Sequence, residues 1–197
     1  MARVLLINPN TIKPPVAPLG IEYLSSFLKE HGVEVSIYDL NIQDKNALDS
    51  VIRDYRPDIT GISVRNIDDS CYATQESFID DIKSLVSLVK VASPKTPVVL
   101  GGVGFSILPK EILSYTGADI GLWGDGEEGM LKLALHGKRP EKPSFLNLQD
   151  FSPSRGNIDN RFYFTFGGMA GIETSRGCNR KCIYCADPLA KGKKVRF

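Results

Sequence analysis

Long hydrophobic runs are missing from this chain of 197 residues. A membrane-spanning helix needs about 20 consecutive apolar residues, and nothing here comes close. The first apolar run, Val4-Leu5-Leu6-Ile7, breaks at Asn8-Pro9, too early for the apolar core of a secretory signal. A disulfide framework is lacking as well. Of four cysteines, three crowd together as Cys178, Cys182 and Cys185, which fits a reducing compartment better than a secreted domain. A soluble cytoplasmic protein without membrane contact is therefore expected. The formal net charge of +1 gives no general attraction to nucleic acid or anionic lipid. Internal repeats and low-complexity tracts are absent too. What remains is ordinary for a globular chain, 42% hydrophobic and 24% charged.

The charge that is present is unevenly spread. From Gly171 to Phe197, seven Lys or Arg stand against Glu173 and Asp187, a surplus of five, so the rest of the chain carries a deficit of four. Such a basic segment reads as a solvated face, as counter-charge to an anionic cluster, or as a hold on RNA.

Hydrophobic spacing divides the first 137 residues into alternating strands and helices. Arg3 to Asn8 reads as a buried strand, and Pro14, Pro15 and Pro18 force an extended loop. Tyr23, Leu24, Phe27, Leu28 and His31 recur at helical spacing, with Gly32 suited to end the helix. Val33 to Tyr38 is a second strand, and Leu48, Val51, Ile52 and Tyr55 stripe a helix stopped before Pro57. Ile59 to Val64 is a third strand, followed by a long helix through Phe78, Ile82, Leu85 and Val89. Strands at Pro97 to Leu100 and Asp119 to Trp123, and helices near Pro109 to Tyr115 and Glu127 to His136, complete the series.

This alternation predicts an α/β fold, a doubly wound five-stranded parallel sheet of flavodoxin-like order 2-1-3-4-5. Sheets of that kind bind ligands beyond the carboxyl ends of the strands, at the switch point between the first and third. The loops to watch are Asn8–Thr11, Arg65–Asp69, Gly101–Ser106 and Gly124–Glu128.

After Gly137 the composition changes. Residues 138–168 read as a linker, with Pro140, Pro143, Pro153 and little apolar periodicity. Within it Phe162, Phe164 and Phe166 alternate with Tyr163 and Thr165, which suggests a strand with one aromatic face destined for a core. Residues 169–197 then hold a short run leading to the cysteines, read as the first strand of a β/α barrel. Twelve residues follow Cys185, whereas a full barrel takes about 200 or more. The barrel is expected to be incomplete, the chain to be the front part of a longer enzyme, and this part alone to be inactive.

The spacing C-x3-C-x2-C carries the chemistry. Thiolates are soft ligands for iron–sulfur clusters and zinc. Three are one short of a closed structural zinc shell, and a cubane held by three thiolates keeps one iron free. A zinc site completed by His136 or Cys71, or three idle thiols, are the alternatives. Cys71 otherwise reads as a small buried residue, and His31 and His136 as helix-end residues near a favourable dipole terminus.

The run Thr174-Ser175-Arg176-Gly177-Cys178-Asn179-Arg180-Lys181-Cys182-Ile183-Tyr184-Cys185 resembles the signature of radical S-adenosylmethionine enzymes. The resemblance implies a [4Fe–4S] cluster on Cys178, Cys182 and Cys185, S-adenosylmethionine chelated at its free iron, and Tyr184 near the adenine. A domain of this fold ahead of that motif resembles the cobalamin-binding domain of the cobalamin-dependent branch. The matching features are Pro18-Leu19-Gly20, Gly61-Ile62-Ser63-Val64, Gly101-Gly102 and Gly124-Asp125-Gly126-Glu127. The family usually has Glu where Asp125 stands. Cobalamin is thus the third implied cofactor, with contacts expected from Asn8 and Asn10, from Arg65, Asn66 and Asp68, from Gly101, Gly102 and Gly104, and from Gly124, Asp125, Gly126 and Glu127. Glycines let backbone approach a large macrocycle or its nucleotide tail.

The D-x-H-x-x-G motif that places a histidine below cobalt in mutases is absent, so no histidine is expected there. Residues 124–129 also satisfy G-x-G-x-x-G, but Asp125, Glu127 and Glu128 would repel a pyrophosphate. The 65–69 segment serves equally as a helix-capping turn.

The implied reaction is methyl transfer to an unactivated carbon, with reductive cleavage of S-adenosylmethionine and methylcobalamin as the methyl carrier. Its partners would be an external electron donor and a small-molecule or peptide substrate. The rival readings are a radical enzyme for methylthiolation, cyclisation or rearrangement whose first domain binds no cobalamin, and a binding or electron-transfer module with a metal loop.

Overall fold

A computed structural model describes residues 1–151 and 154–197; Pro153 of the expected linker lies outside them. Five strands, β1 (Arg3–Asn8), β2 (Glu34–Asp39), β3 (Ile59–Ser63), β4 (Val98–Gly101) and β5 (Ile120–Gly121), form one parallel sheet in the order β2-β1-β3-β4-β5. Successive side chains on a strand face opposite ways, and here both faces are covered. Leu5 and Ile7 join one core with Leu48, Ile52, Val86 and Val89, under α2 (Leu48–Tyr55), α3 (Ile79–Ala92), α4 (Val103–Ile107) and α5 (Pro109–Thr116). Val4 and Leu6 join the other with Ile21, Leu28, Met130 and Leu133, under α1 (Leu19–Glu30) and α6 (Glu127–His136). Burial on both sides is why these strands are continuously apolar.

Gly32 and Gly137 adopt left-handed φ values of +77° and +65° just past α1 and α6, which only glycine does without strain. Two features differ from the periodicity. β5 pairs over two residues only, and α4 forms where a loop was expected. Phe105 is fully buried in α4. A Cβ on Gly121 would lie 2.4 Å from its ring, so the ring occupies the surface over β5.

The largest departures lie beyond Gly137. The aromatic alternation at residues 162–166 is not a strand but helix α7 (Asn160–Thr165), capped by the Asp159 carboxylate accepting from the Arg161 N–H at 3.0 Å. Phe162 and Phe166 meet at i,i+4 with ring centroids 4.6 Å apart. The expected aromatic core is also displaced, because Phe164 and Phe166 are 63% and 60% exposed while Tyr163 is fully buried. The linker region is docked on α1: Phe151 packs edge-on against Tyr23 and Phe27, and Arg155 pairs with the buried Glu22 at 2.8 Å. Residues 169–176 join no sheet. Single bridges, Val16 to Met169 and Arg176 to Arg196, stand where the first barrel strand was expected, and among the described residues, 169–176 pair with no strand of the sheet. A short helix α8 (Asp187–Ala190) follows the cysteines. Among the described residues no helix is long and apolar enough to cross a membrane.

Tyr163 fastens α7 to the sheet. Its hydroxyl donates to Asp39 at the end of β2, and the Asn8 amide donates to the same carboxylate at 2.9 Å. Burial, followed by the hydrogen bond and charge of Asp39, pushes the Tyr163 phenol far above its usual range. Tyr163→Phe leaves a buried carboxylate short of one donor, so the variant is expected to lose about 1.5–3 kcal/mol in urea unfolding. A loss below about 0.5 kcal/mol would show that the hydroxyl does not hold α7 down.

Candidate cofactor-binding site

The carboxyl ends of β1, β3 and β4 open on a cavity of about 400 Å³. Its apolar interior is built from Leu6, Leu24, Val99, Leu122 and Met130, and its mouth from Asn8, Ser63, Arg65, Gly101, Gly102 and residues 124–127. Glycine matters at two places. Gly102 turns at φ +102°, where a Cβ would strike the Val64 carbonyl at 2.6 Å. Gly126 instead faces open space, its nearest neighbour for a Cβ being Leu24 at 3.9 Å. A second cavity of about 450 Å³ lies beside the first, lined by Asn10, Lys13, Asn66, Asp69, Glu76 and Phe78, with Ser63 and Arg65 common to both.

Of the residues expected to contact cobalamin, Asn8, Arg65, Gly101, Gly102, Gly124, Asp125, Gly126 and Glu127 line the first cavity, and Asn10 and Asn66 the second. Asn8 is engaged internally, donating to Asp39 and accepting from the Asn10 N–H. Asp68, Gly104 and Tyr184 line neither. The Asp68 carboxylate accepts from the Ser70 N–H at 2.8 Å, a local turn. Gly104 lets α4 pack closely, a Cβ there lying 3.0 Å from the Arg65 carbonyl. Tyr184 is exposed.

The electrostatic centre is a buried cluster absent from the sequence reading. Arg176 is 7% exposed. Its Nη1 lies 2.7 Å from Glu127 Oε1 and 3.4 Å from Asp125 Oδ1, and its Nε lies 2.7 Å from Glu173 Oε2. Arg196 pairs with the other oxygen of Asp125 and donates to the Leu146 and Lys191 carbonyls, each at 2.8 Å. The Leu146 N–H also donates to Asp125, at 2.7 Å. Burial alone would weaken the Arg176 guanidinium as a base, but Glu127, Asp125 and Glu173 outweigh it and keep it charged. For Glu127, burial raises the carboxyl pKa more than Arg176 lowers it, and Asp125 adds to the rise. The basic C-terminal segment is therefore, in part, counter-charge to the acidic 124–127 loop. The only advance signal was that charge asymmetry, since Arg176 and Asp125 are far apart in sequence.

The same cluster sets the base of the cysteine loop. Arg176 and Arg196 exchange backbone hydrogen bonds of 2.9 and 2.8 Å, and the Cys178 N–H donates to the Gly192 carbonyl at 3.0 Å. A Cβ on Gly177, at φ +85°, would lie 2.2 Å from the Lys194 carbonyl, so only glycine fits between these segments. Beyond that base the loop is open: Cys178 is partly buried, Cys182 and Cys185 are exposed, and all three are free thiols. Among the described residues no three His, Cys, Asp or Glu side chains are gathered as a metal site, and Cys71 is exposed, not the small buried residue expected. Three accessible soft donors suit a cluster that draws the loop together as it assembles.

Glu127 offers a pH test. A carboxyl whose pKa is raised on folding stabilises the fold below its unfolded pKa, and that contribution is lost as pH rises through the folded value. Glu127→Gln removes the dependence, so its Tm relative to wild type is expected to climb as pH rises above the usual carboxylate range. A constant difference would mean that Arg176 keeps Glu127 ionised throughout.

Known proteins are similar to this chain. Over 96% of its length the chain is 28% identical to a tryptophan 2-C-methyltransferase of Streptomyces laurentii, covering 44% of that protein. Over 91% it is 26% identical to a hopanoid C-3 methylase of Methylococcus capsulatus, covering 37%. It also matches the structure of the radical S-adenosylmethionine methyltransferase TsrM of Kitasatospora setae, with cobalamin and a [4Fe–4S] cluster bound. That match has a TM-score of 0.83 at 27% identity, over 99% of this chain and 43% of TsrM. The chain thus spans less than half the length of these relatives. A family model described as the B12 binding domain matches residues 6–134, from β1 through most of α6 and across the loops that wall the cavity. This chain belongs to the B12-binding domain family.

Proposed function

We propose that the chain is the cobalamin-binding and cluster-bearing part of a radical S-adenosylmethionine methyltransferase acting on a carbon of a small molecule. One observation carries the reading: the loop with Cys178, Cys182 and Cys185 is anchored, through Arg176, on the rim of the cavity in the B12-binding domain. A site for an iron–sulfur cluster and a site for a corrin are thereby held on one body. The relatives named above support carbon methylation, since their substrates are tryptophan and a hopanoid.

The residues fit both groups. The first cavity admits a flat organic group along Gly101, Gly102 and Gly126, and its apolar interior excludes water. Glu127 lines that cavity, and its Oε2 is buried without a partner. Ser63 and Arg65, at the boundary of the two cavities, can donate to amide side chains at the rim. Cys178, Cys182 and Cys185 would bind iron as thiolates, leaving one iron open. When bound, the cluster supplies an electron to S-adenosylmethionine and cobalamin carries the methyl group.

An external reductant is required, and the substrate would be held largely by the length of the relatives that this chain does not span. The cytoplasm is the assigned compartment, supported by four free cysteines.

Anaerobic reconstitution tests the reading. The wild-type chain is expected to take up about four iron per chain and to retain hydroxocobalamin, while Cys182→Ala loses the iron and keeps the corrin. Gly126→Phe should do the reverse: its side chain enters open cavity, so cobalamin Kd rises at least about tenfold while iron content and Tm hold. Wild-type chain with corrin but no iron would overturn the radical-enzyme assignment.

A further inference from the structure

The buried ion cluster is a polar link between two sites that also meet where Ala190 and Lys191, just past the cysteines, line the cavity. Asp125 and Glu127 belong to the loop that walls the cavity, whereas Arg176 stands two residues before Cys178. Three carboxylates face two guanidiniums, and the group is incomplete. Glu127 is 3% exposed, its Oε1 is spent on Arg176, and its Oε2 has no partner. A buried acceptor without a donor is costly, and a charged one more so. Asp125, Glu127 and Arg176 all line the cavity. A ligand seated against them would fix the Glu127 carboxylate, and with it the Arg176 fork, whose planar geometry leaves little slack. Arg176 in turn is locked by backbone bonds to Arg196 beside the cysteine loop.

We propose that Arg176 is a positioning residue that couples the two sites: filling the cavity orders the 124–127 loop, and Arg176 transmits that order to the base of the loop bearing Cys178. The inference rests on the cavity being the corrin site and adds to it that corrin binding prepares the cysteine loop. Linkage makes the effect reciprocal, so an ordered cysteine loop also favours an occupied cavity.

The experiment uses the full, iron-free chain and hydroxocobalamin as probe. Binding is followed by quenching of Trp123, the single tryptophan, adjacent to the cavity wall at Gly124. Loop order is followed by the rate of tryptic cleavage after Arg180 and Lys181, both exposed between Cys178 and Cys182. In wild type, saturating hydroxocobalamin is expected to slow that cleavage about tenfold. In Arg176→Gln, at saturation confirmed by quenching, the protection should fall below about twofold. Glu127→Gln, which keeps Arg176 and its other two carboxylates, serves as a second variant should the first not fold, and it should lose most of the protection. Arg176 acting as a simple staple would raise cleavage equally with and without the corrin, leaving the ratio intact and overturning the proposal. Bound hydroxocobalamin that gives wild type no protection overturns it too. Failure of the wild type to bind hydroxocobalamin sinks the corrin site itself, a result told apart by unquenched Trp123.

Discussion

A guanidinium cannot be taken out of water cheaply unless carboxylates meet it there, and the burial of Arg176 is tolerable only because Asp125, Glu127 and Glu173 surround it. That one requirement organises the C-terminal third of the molecule. It draws the segment before the cysteines onto the β5–α6 loop, brings Arg196 to the far side of Asp125, and holds residues 144–146 through the Asp125 backbone and carboxylate. The gain is register more than stability, because buried pairs often do no better than apolar contacts in net energy.

The sheet supplies the fixed frame for that arrangement. Helices cover both of its faces, so backbone groups at the carboxyl ends of the strands are what remains free to meet a ligand. The cavity forms where β1 and β3 part company, since β2 continues to one side and β4 to the other. Glycine at positions 61, 101, 102 and 126 keeps that crevice from being filled by the protein's own side chains.

Much of this was legible in the sequence because it is local or periodic. The stripe of Leu48, Ile52 and Tyr55, the apolar run of Arg3 to Asn8 and the glycine pairs each report their own neighbourhood. The 124–127 loop, which lines the cavity, was readable for the same reason. Residues 162–166 misled because alternation and helical spacing coexist there. A cap at Asp159 and a single buried partner, Asp39, decide for helix, and neither is visible from the period. Arg176 was invisible for a plainer reason. Glu173 is close by, but Asp125 and Glu127 are dozens of residues away, and only the folded chain brings them to it. Asp68 stands in a turn and Gly104 in the helix α4, in segments of the right composition, yet local turn and packing needs claim them.

The brevity of β5 has a bearing on how the molecule behaves in a crowd. An outer strand of two residues, roofed by the Phe105 ring, offers almost no ladder of free amides and carbonyls for a stray chain to extend. Fibril-like stacking at that border is frustrated. The opposite border, β2, is six residues long and opens with Glu34, a charge that discourages like strands from lining up there. A protein that must keep one end of its sheet accessible to a large cofactor has thus left its two sides poorly suited to recruiting copies of itself.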